Sequence, residues 1–301
     1  MSTSASADTG KIYGVERVCQ VWNISRSTYY SQLNRCDGEQ RKPLMRGPKP
    51  KVANDDLLVA IKKDLERTPW IGEGYRKVWA RLRVLDEIRV SGKRVLRLMR
   101  ENKLLSPHRS RPNDKIVHDG RITTDAPNVM WGTDGARVLT AEEGWVWLFA
   151  TVDHWNAECV GWHVCKYGTR FAAVEPISMA LTTYYGGVGK QIANGLKLRM
   201  DHGSQFLSDH YQKQIEYWGV KPSFAFVAQP ETNGVAERFN RTFKEQIIHG
   251  RIYKNVSELR EAVRTFVEQY NEEWLIEKNG FKSPSQIRQE WNKEHALPEA
   301  A

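Results

Sequence analysis

The sequence predicts an α/β chain in which a mixed sheet follows small all-α units. Three observations carry this. Residues 196–200 alternate apolar and basic side chains, the period of a half-buried strand, and run into Asp201 and Gly203, a strand-to-helix turn. Residues 129–138, 145–153 and 159–166 read as three more strands joined by turns, an antiparallel meander. Residues 14–34 and 54–106 carry apolar stripes at helical spacing instead.

Composition narrows the class. The 301 residues hold 45 basic and 36 acidic side chains, and the net charge of +9 favours a polyanionic partner. The four cysteines, Cys19, Cys36, Cys159 and Cys165, are scattered without a Cys-x-x-Cys, so neither a zinc site nor a disulfide framework is expected. That usage suits the reducing cytosol. No apolar run of about eighteen residues is present, and residues 1–10 lack the apolar centre of a signal peptide, so no membrane partner is expected.

In chain order, residues 1–36 read as a helix-turn-helix. Val15, Val18, Cys19 and Trp22 stripe the first helix, Ser25 caps the second, and Arg26 and Tyr30 offer polar groups to a DNA groove. A plain helical hairpin satisfies the same pattern. Residues 37–52 form a basic, proline-containing linker that is either solvated or laid along a minor groove through Arg46. Residues 53–110 form a second helical unit. Its third helix, capped by Ser91, buries Val95, Leu98 and Met99 and turns Lys93, Arg94, Arg97 and Arg100 outward, towards phosphates or solvent. Residues 111–127 are a linker.

Residues 128–250 form the core. Beyond the meander come a helix near 170–184 that Pro176 should kink or delay, the strand ending at Asp201, a helix over 205–218, a short strand at 220–226 and a helix over 233–249. On that last helix Ala236, Phe239, Phe243 and Ile247 form the apolar stripe, with Glu237, Asn240, Arg241 and Lys244 opposite. Residues 251–301 are a helical extension.

Asp134 therefore lies in a strand, Asp201 at a strand end and Glu237 on a polar helix face, with thirty-five residues between the last two. Three isolated acids would be ordinary surface charges. Their surroundings are specific: Trp131-x-x-Asp134, Asp201-x-Gly203-Ser204-Gln205-Phe206, and Pro230-x-x-Asn233-Gly234-x-x-Glu237-Arg238 running on to Lys244-Glu245. This resembles the D,D(35)E triad of retroviral integrases and bacterial insertion-sequence transposases. Gly74-Tyr75-Arg76-Lys77-Val78-Trp79, with the basic helix after it, resembles the accessory helical domain of transposases made from two overlapping reading frames. The resemblance spans roughly residues 53–290.

The resemblance implies a ribonuclease-H-like catalytic core built on a mixed five-stranded sheet. It implies a DDE transposase that cleaves a strand and transfers its 3′-OH at the ends of an insertion element. Asp134, Asp201 and Glu237 would be catalytic and hold two Mg²⁺ ions, Mn²⁺ substituting, because hard divalent cations suit carboxylate oxygens. The implied partners are double-stranded DNA at element ends and target, further copies of this chain as a homodimer or higher assembly, and an upstream-frame protein as fusion or partner. The implied location is the bacterial cytosol or nucleoid. A non-catalytic DNA-binding regulator, or a ribonuclease-H-like nuclease without strand transfer, are the alternatives. Arg241 and Lys244 would position the element end, or else pair with acids such as Glu245. Asp153 is the rival acid and reads as an ordinary strand-end Asp, and His202 as a bystander. Two departures stand out. The N-terminal His-His-Cys-Cys zinc domain of retroviral integrases is missing, and Tyr270-Asn271 is followed by Glu272-Glu273-Trp274-Leu275 where relatives carry Arg-x-His-x-Ala-Leu.

Overall fold

The structure, a computed structural model, describes residues 3–36, 50–106, 124–224 and 233–295, and divides into two units, Met1–Ala53 and Asn54–Ala301. In the first unit, α1 (Gly14–Val21) and α2 (Arg26–Cys36) are joined by a turn. The Ser25 hydroxyl caps α2 by accepting from the Thr28 amide at 3.2 Å. Of the expected stripe only Cys19 is buried; Trp22 is 59 % exposed. Trp22 falls at the C-cap, beyond the face that α1 turns inward, and two short helices offer little surface to cover an indole.

The second unit opens with three helices, α3 (Asn54–Arg67), α4 (Tyr75–Val84) and α5 (Gly92–Glu101), packed on Leu57, Ile61, Val78, Leu82, Val95 and Met99. Inside this small core Arg81 donates to both oxygens of Asp64 (2.8–3.1 Å) and pairs with Glu73, so the charges are compensated.

The sheet is built on its longest strand. β1 (Met130–Thr140) pairs antiparallel with β2 (Gly144–Asp153), which pairs antiparallel with β3 (Cys159–Cys165). On its other side β1 pairs parallel with β4 (Lys197–Met200), which lies beside β5 (Lys221–Phe224). The order β3-β2-β1-β4-β5 is the mixed five-stranded, ribonuclease-H-like arrangement. Both faces are covered. Val146, Leu148, Ala150 and Val152 point to one core, shared with α9 (Gly234–Phe243) and α10 (Val256–Glu273). Trp131, Phe149 and Leu198 point to the other, shared with α6 (Arg170–Tyr185), α7 (Ser204–Leu207) and α8 (Asp209–Tyr217).

α6 starts at Arg170 as the pattern predicts, capped by Thr169, and Pro176 does not delay it. Its buried face, including Ala173 and Ile177, holds it against β3, where a Cβ on Gly161 would lie 1.9 Å from the Pro176 carbonyl oxygen. The helix expected over 205–218 is two, because Ser208 ends α7 and caps α8 by accepting from the Tyr211 amide. After Phe243 the last helix of the core widens into one π-helical turn, Lys244–Ile248.

The segment after Tyr270 joins the helical unit to the sheet. Asn271 pairs with the edge of β3 through both its amide groups, at 2.9 Å to the Cys159 N–H and carbonyl. Lys77 lies 3.8 Å from the Trp274 ring centroid and donates to the Leu275 carbonyl, and Trp79 packs edge-on against Phe281. Gln246 does for residue 71 what Asn271 does for β3, exchanging two 2.8 Å bonds with its backbone.

Asp153 is fully buried and structural. It accepts from the amides of Asn128 and Trp155 at 2.9 Å and from Arg288 of α11 (Pro284–Glu294) at 2.9 Å. Arg288 also binds Glu158 and lies over Tyr184. Burial pushes the Asp153 carboxyl upward and the Arg288 charge opposes that shift. Arg288→Ala strands two buried carboxylates and should lower stability by about 3–5 kcal/mol in urea unfolding. A loss below about 1 kcal/mol would show that the carboxylates find other compensation.

Candidate active site

Asp134 sits in the middle of β1, on the face that α9 covers. Its position relative to Asp201 follows from strand register. Gly132 is paired with Arg199 in the parallel β1–β4 ladder, so extending that register by two residues sets Asp134 opposite Asp201. Leu198 and Met200 point into the other core, which leaves Arg199 and Asp201 on the Asp134 side. Asp201 is exposed, and one of its oxygens accepts from the Gly203 amide at 2.8 Å. A Cβ at Gly203 would press on that oxygen at 2.9 Å and on the Gln205 amide at 2.7 Å.

Glu237 reaches the site from α9. Asp134, Glu237, Asn240, Arg241 and Lys244 line one cleft of about 370 Å³, together with residues of the following turn. Two asparagines fix this helix. Asn233 donates to the Thr133 carbonyl at 3.0 Å, and Asn240 donates to the second oxygen of Asp134 at 2.7 Å. Glu237 lies between them, about one turn from each. Gly132 leaves room for this contact, since a Cβ there would meet the Asn233 oxygen at 2.8 Å and His154 at 2.7 Å. Asn240 is buried, not on the outer face where its polarity alone had placed it.

Burial raises the Asp134 carboxyl above its usual range; bonds from Asn240 and the Gly135 amide pull it down, and the Asp201 charge pushes it up again. A carboxyl raised by burial and by a neighbouring negative charge is relieved by a cation. Among the described residues no three of His, Cys, Asp or Glu are gathered closely enough to form a metal-binding group. The donors still fit the chemistry of a hard divalent ion. They are all carboxylate oxygens, two of them are electrostatically coupled, and the third lines the same cleft as the first.

The other candidate DNA contacts are dispersed. Arg241 and Lys244 are exposed at the cleft. On α5, Lys93 and Arg100 are exposed, whereas Arg94 is folded onto the Asn54 side chain at 2.7 Å and Arg97 stands 3.8 Å from Glu101. Arg26 faces Glu16 at 3.7 Å and Tyr30 is 46 % exposed. Arg46 lies outside the described residues. His202 is exposed with its ring tilted against Phe224.

Residues 124–230 and 218–275 match two integrase core domain families, and residues 54–112 match an HTH-like domain family. The integrase core matches thus lie behind the HTH-like match in the chain. Among curated proteins it is similar to Transposase InsD for insertion element IS2A/D/F/H/I/K from Escherichia coli, 28 % identical over 256 residues, covering 81 % of each chain. The Escherichia coli K12 transposase InsD for insertion element IS2-9 matches at the same identity over 79 % of its length. Among solved structures, the HTLV-2 integrase catalytic core in complex with magnesium aligns over 54 % of this chain and 96 % of that one, at 18 % identity and a TM-score of 0.39. A simian T-cell lymphotropic virus intasome in complex with a PP2A regulatory subunit aligns over 74 % and 78 %, at 14 % identity and a TM-score of 0.44. No helix among the described residues is long and apolar enough to cross a membrane.

Asn240 was the site residue missed in the sequence. Removing its bond to Asp134 takes away a contact that favours the charged carboxylate. Asn240→Ala should therefore move the Asp134 pKa further up, as followed by ¹³C NMR of the carboxyl carbon in metal-free protein. An unchanged or lower value would contradict this coupling.

Proposed function

We propose that this chain is a DDE-type transposase, which cleaves one DNA strand at the end of an insertion element and transfers the resulting 3′-OH to a second phosphodiester. The observation that carries this reading is the placing of Asp134 and Asp201 on one sheet face, in register, with Glu237 in the same cleft as Asp134. Divalent cations held by these three acids, two Mg²⁺ with Mn²⁺ as substitute, would activate the oxygen nucleophile and neutralise charge at phosphorus. Both steps are in-line displacements, first by water and then by the freed 3′-OH, so one site serves both.

The remaining residues bind and orient. Asn240 holds the Asp134 carboxylate in one orientation. Arg241 and Lys244 follow Glu237 by four and seven residues, so a DNA strand whose phosphate lies at Asp134 continues past two cations. Lys93 and Arg100 of the HTH-like domain offer phosphate contacts without base readout, and Arg26 and Tyr30 of the N-terminal helices face a groove. The partner is double-stranded DNA at element ends and target. Bringing two ends together calls for at least two copies of the chain; an upstream-frame protein, fused or separate, and the bacterial cytosol complete the proposal.

Asp134→Asn, Asp201→Asn and Glu237→Gln keep side-chain size and remove the charge that holds the cation. Each should abolish cleavage and joining of a duplex carrying the element end, while affinity for that duplex in EDTA stays within about twofold. Full activity in any one of the three would remove that acid from the site.

A further inference from the structure

Beyond the end of β4, the β1–β2 hairpin carries on, and the face away from α9 is left open. Leu139 and Trp145 on it are each 54 % exposed. The guanidinium of Arg137 lies 5.0 Å from the Trp145 ring and 5.7 Å from that of Trp147, which stacks on Phe149. The same pairing recurs next door. Lys166 lies 5.6 Å from the Tyr167 ring and Arg170 lies 5.1 Å from the Phe171 ring, with Tyr167 67 % and Phe171 54 % exposed. The two groups are contiguous, because the Trp147 indole lies against Gly168, where a Cβ would come within 2.4 Å of it. Phe171 continues the strip to His210 on α8, 4.5 Å between rings.

Three cations are thus held over rings, and none of the three is in an ion pair among the described residues. An exposed ring beside an uncompensated cation suits one ligand chemistry above others: a base that stacks, joined to a phosphate that pairs. A second copy of this chain, itself at +9, would bring like charge to the strip. The strip lies on the sheet face opposite the candidate acids: Asp134 points to the α9 side, and Arg137, three residues further along β1, points away from it.

We propose that this strip is a single-stranded DNA platform, on which unpaired nucleotides stack on Trp145 and Phe171 while Arg137, Lys166 and Arg170 bind their phosphates. It rests on the reading of DNA as substrate, but not on the chemistry at the three acids.

The test measures binding alone, in EDTA, so failure of the cleavage reading leaves it intact. The full chain is titrated against a labelled duplex with a single-stranded tail and against the same duplex blunt-ended, by fluorescence anisotropy. Trp145→Ala should weaken binding of the tailed duplex about tenfold and of the blunt duplex by less than about twofold. Trp145→Phe, which keeps a ring, should restore most of the loss. Arg137→Gln should lower the log–log salt slope on the tailed duplex by about 0.7. Equal losses on both duplexes, or no loss on either, would overturn the platform. So would intact tailed binding with loss of self-association in sedimentation, since the strip would then be a protein–protein face.

Discussion

Two buried hydrogen bonds hold the candidate site together: Asn233 to the Thr133 carbonyl and Asn240 to the Asp134 carboxylate. Both run from α9 to consecutive residues of β1, and Glu237 is carried between them. Phe239 and Phe243 anchor the other side of the helix in the core with α10, so the rotation of α9 is set from two directions. A buried amide without a partner costs about 1–3 kcal/mol, so these contacts resist a helix turned by one residue. Such a turn would point Glu237 away from Asp134.

The parallel β1–β4 pairing brings Asp134, in the middle of β1, level with Asp201, just past the end of β4, with α6 leading from β3 into β4. The antiparallel β2 and β3 then close the other side, and the β1–β2 hairpin continues past the end of β4. The HTH-like domain is not loosely tethered to this frame. Trp70 is buried with Phe266 and Trp274, and Lys77, Trp79 and Gln246 add polar and aromatic contacts. Lys93 and Arg100 therefore belong to the same compact unit as the cleft.

Strand alternation and the spacing of Asp134, Asp201 and Glu237 made the core legible, because a period of two and a strand-ending carboxylate are local signals. Asn240 was misplaced by residue type. It lies about 40° around the helix from Ala236, within the buried stripe, and its polarity outweighed its position. Ser208 was hidden inside a helical pattern, although a serine preceding Asp209 is a cap signal. Pro176 gave a true local preference that packing against Gly161 overrode. The docking of Trp274 and Leu275 on Lys77 could not be read at all, since it joins segments about two hundred residues apart with no shared periodicity. Arg94 shows the converse: a basic face predicts outward charge, but not which member turns back to bind Asn54.

Joining of DNA strands, as well as cutting them, is what separates the proposed reaction from that of a nuclease. The most direct measurement offers the protein a labelled duplex of its element end, already carrying a free 3′-OH, together with unlabelled circular DNA in Mg²⁺. Label covalently joined to the circle through that 3′ end is expected, and none when EDTA replaces Mg²⁺. Nicked circles without joined label would mean a nuclease, and neither product would leave a DNA-binding protein without the proposed chemistry.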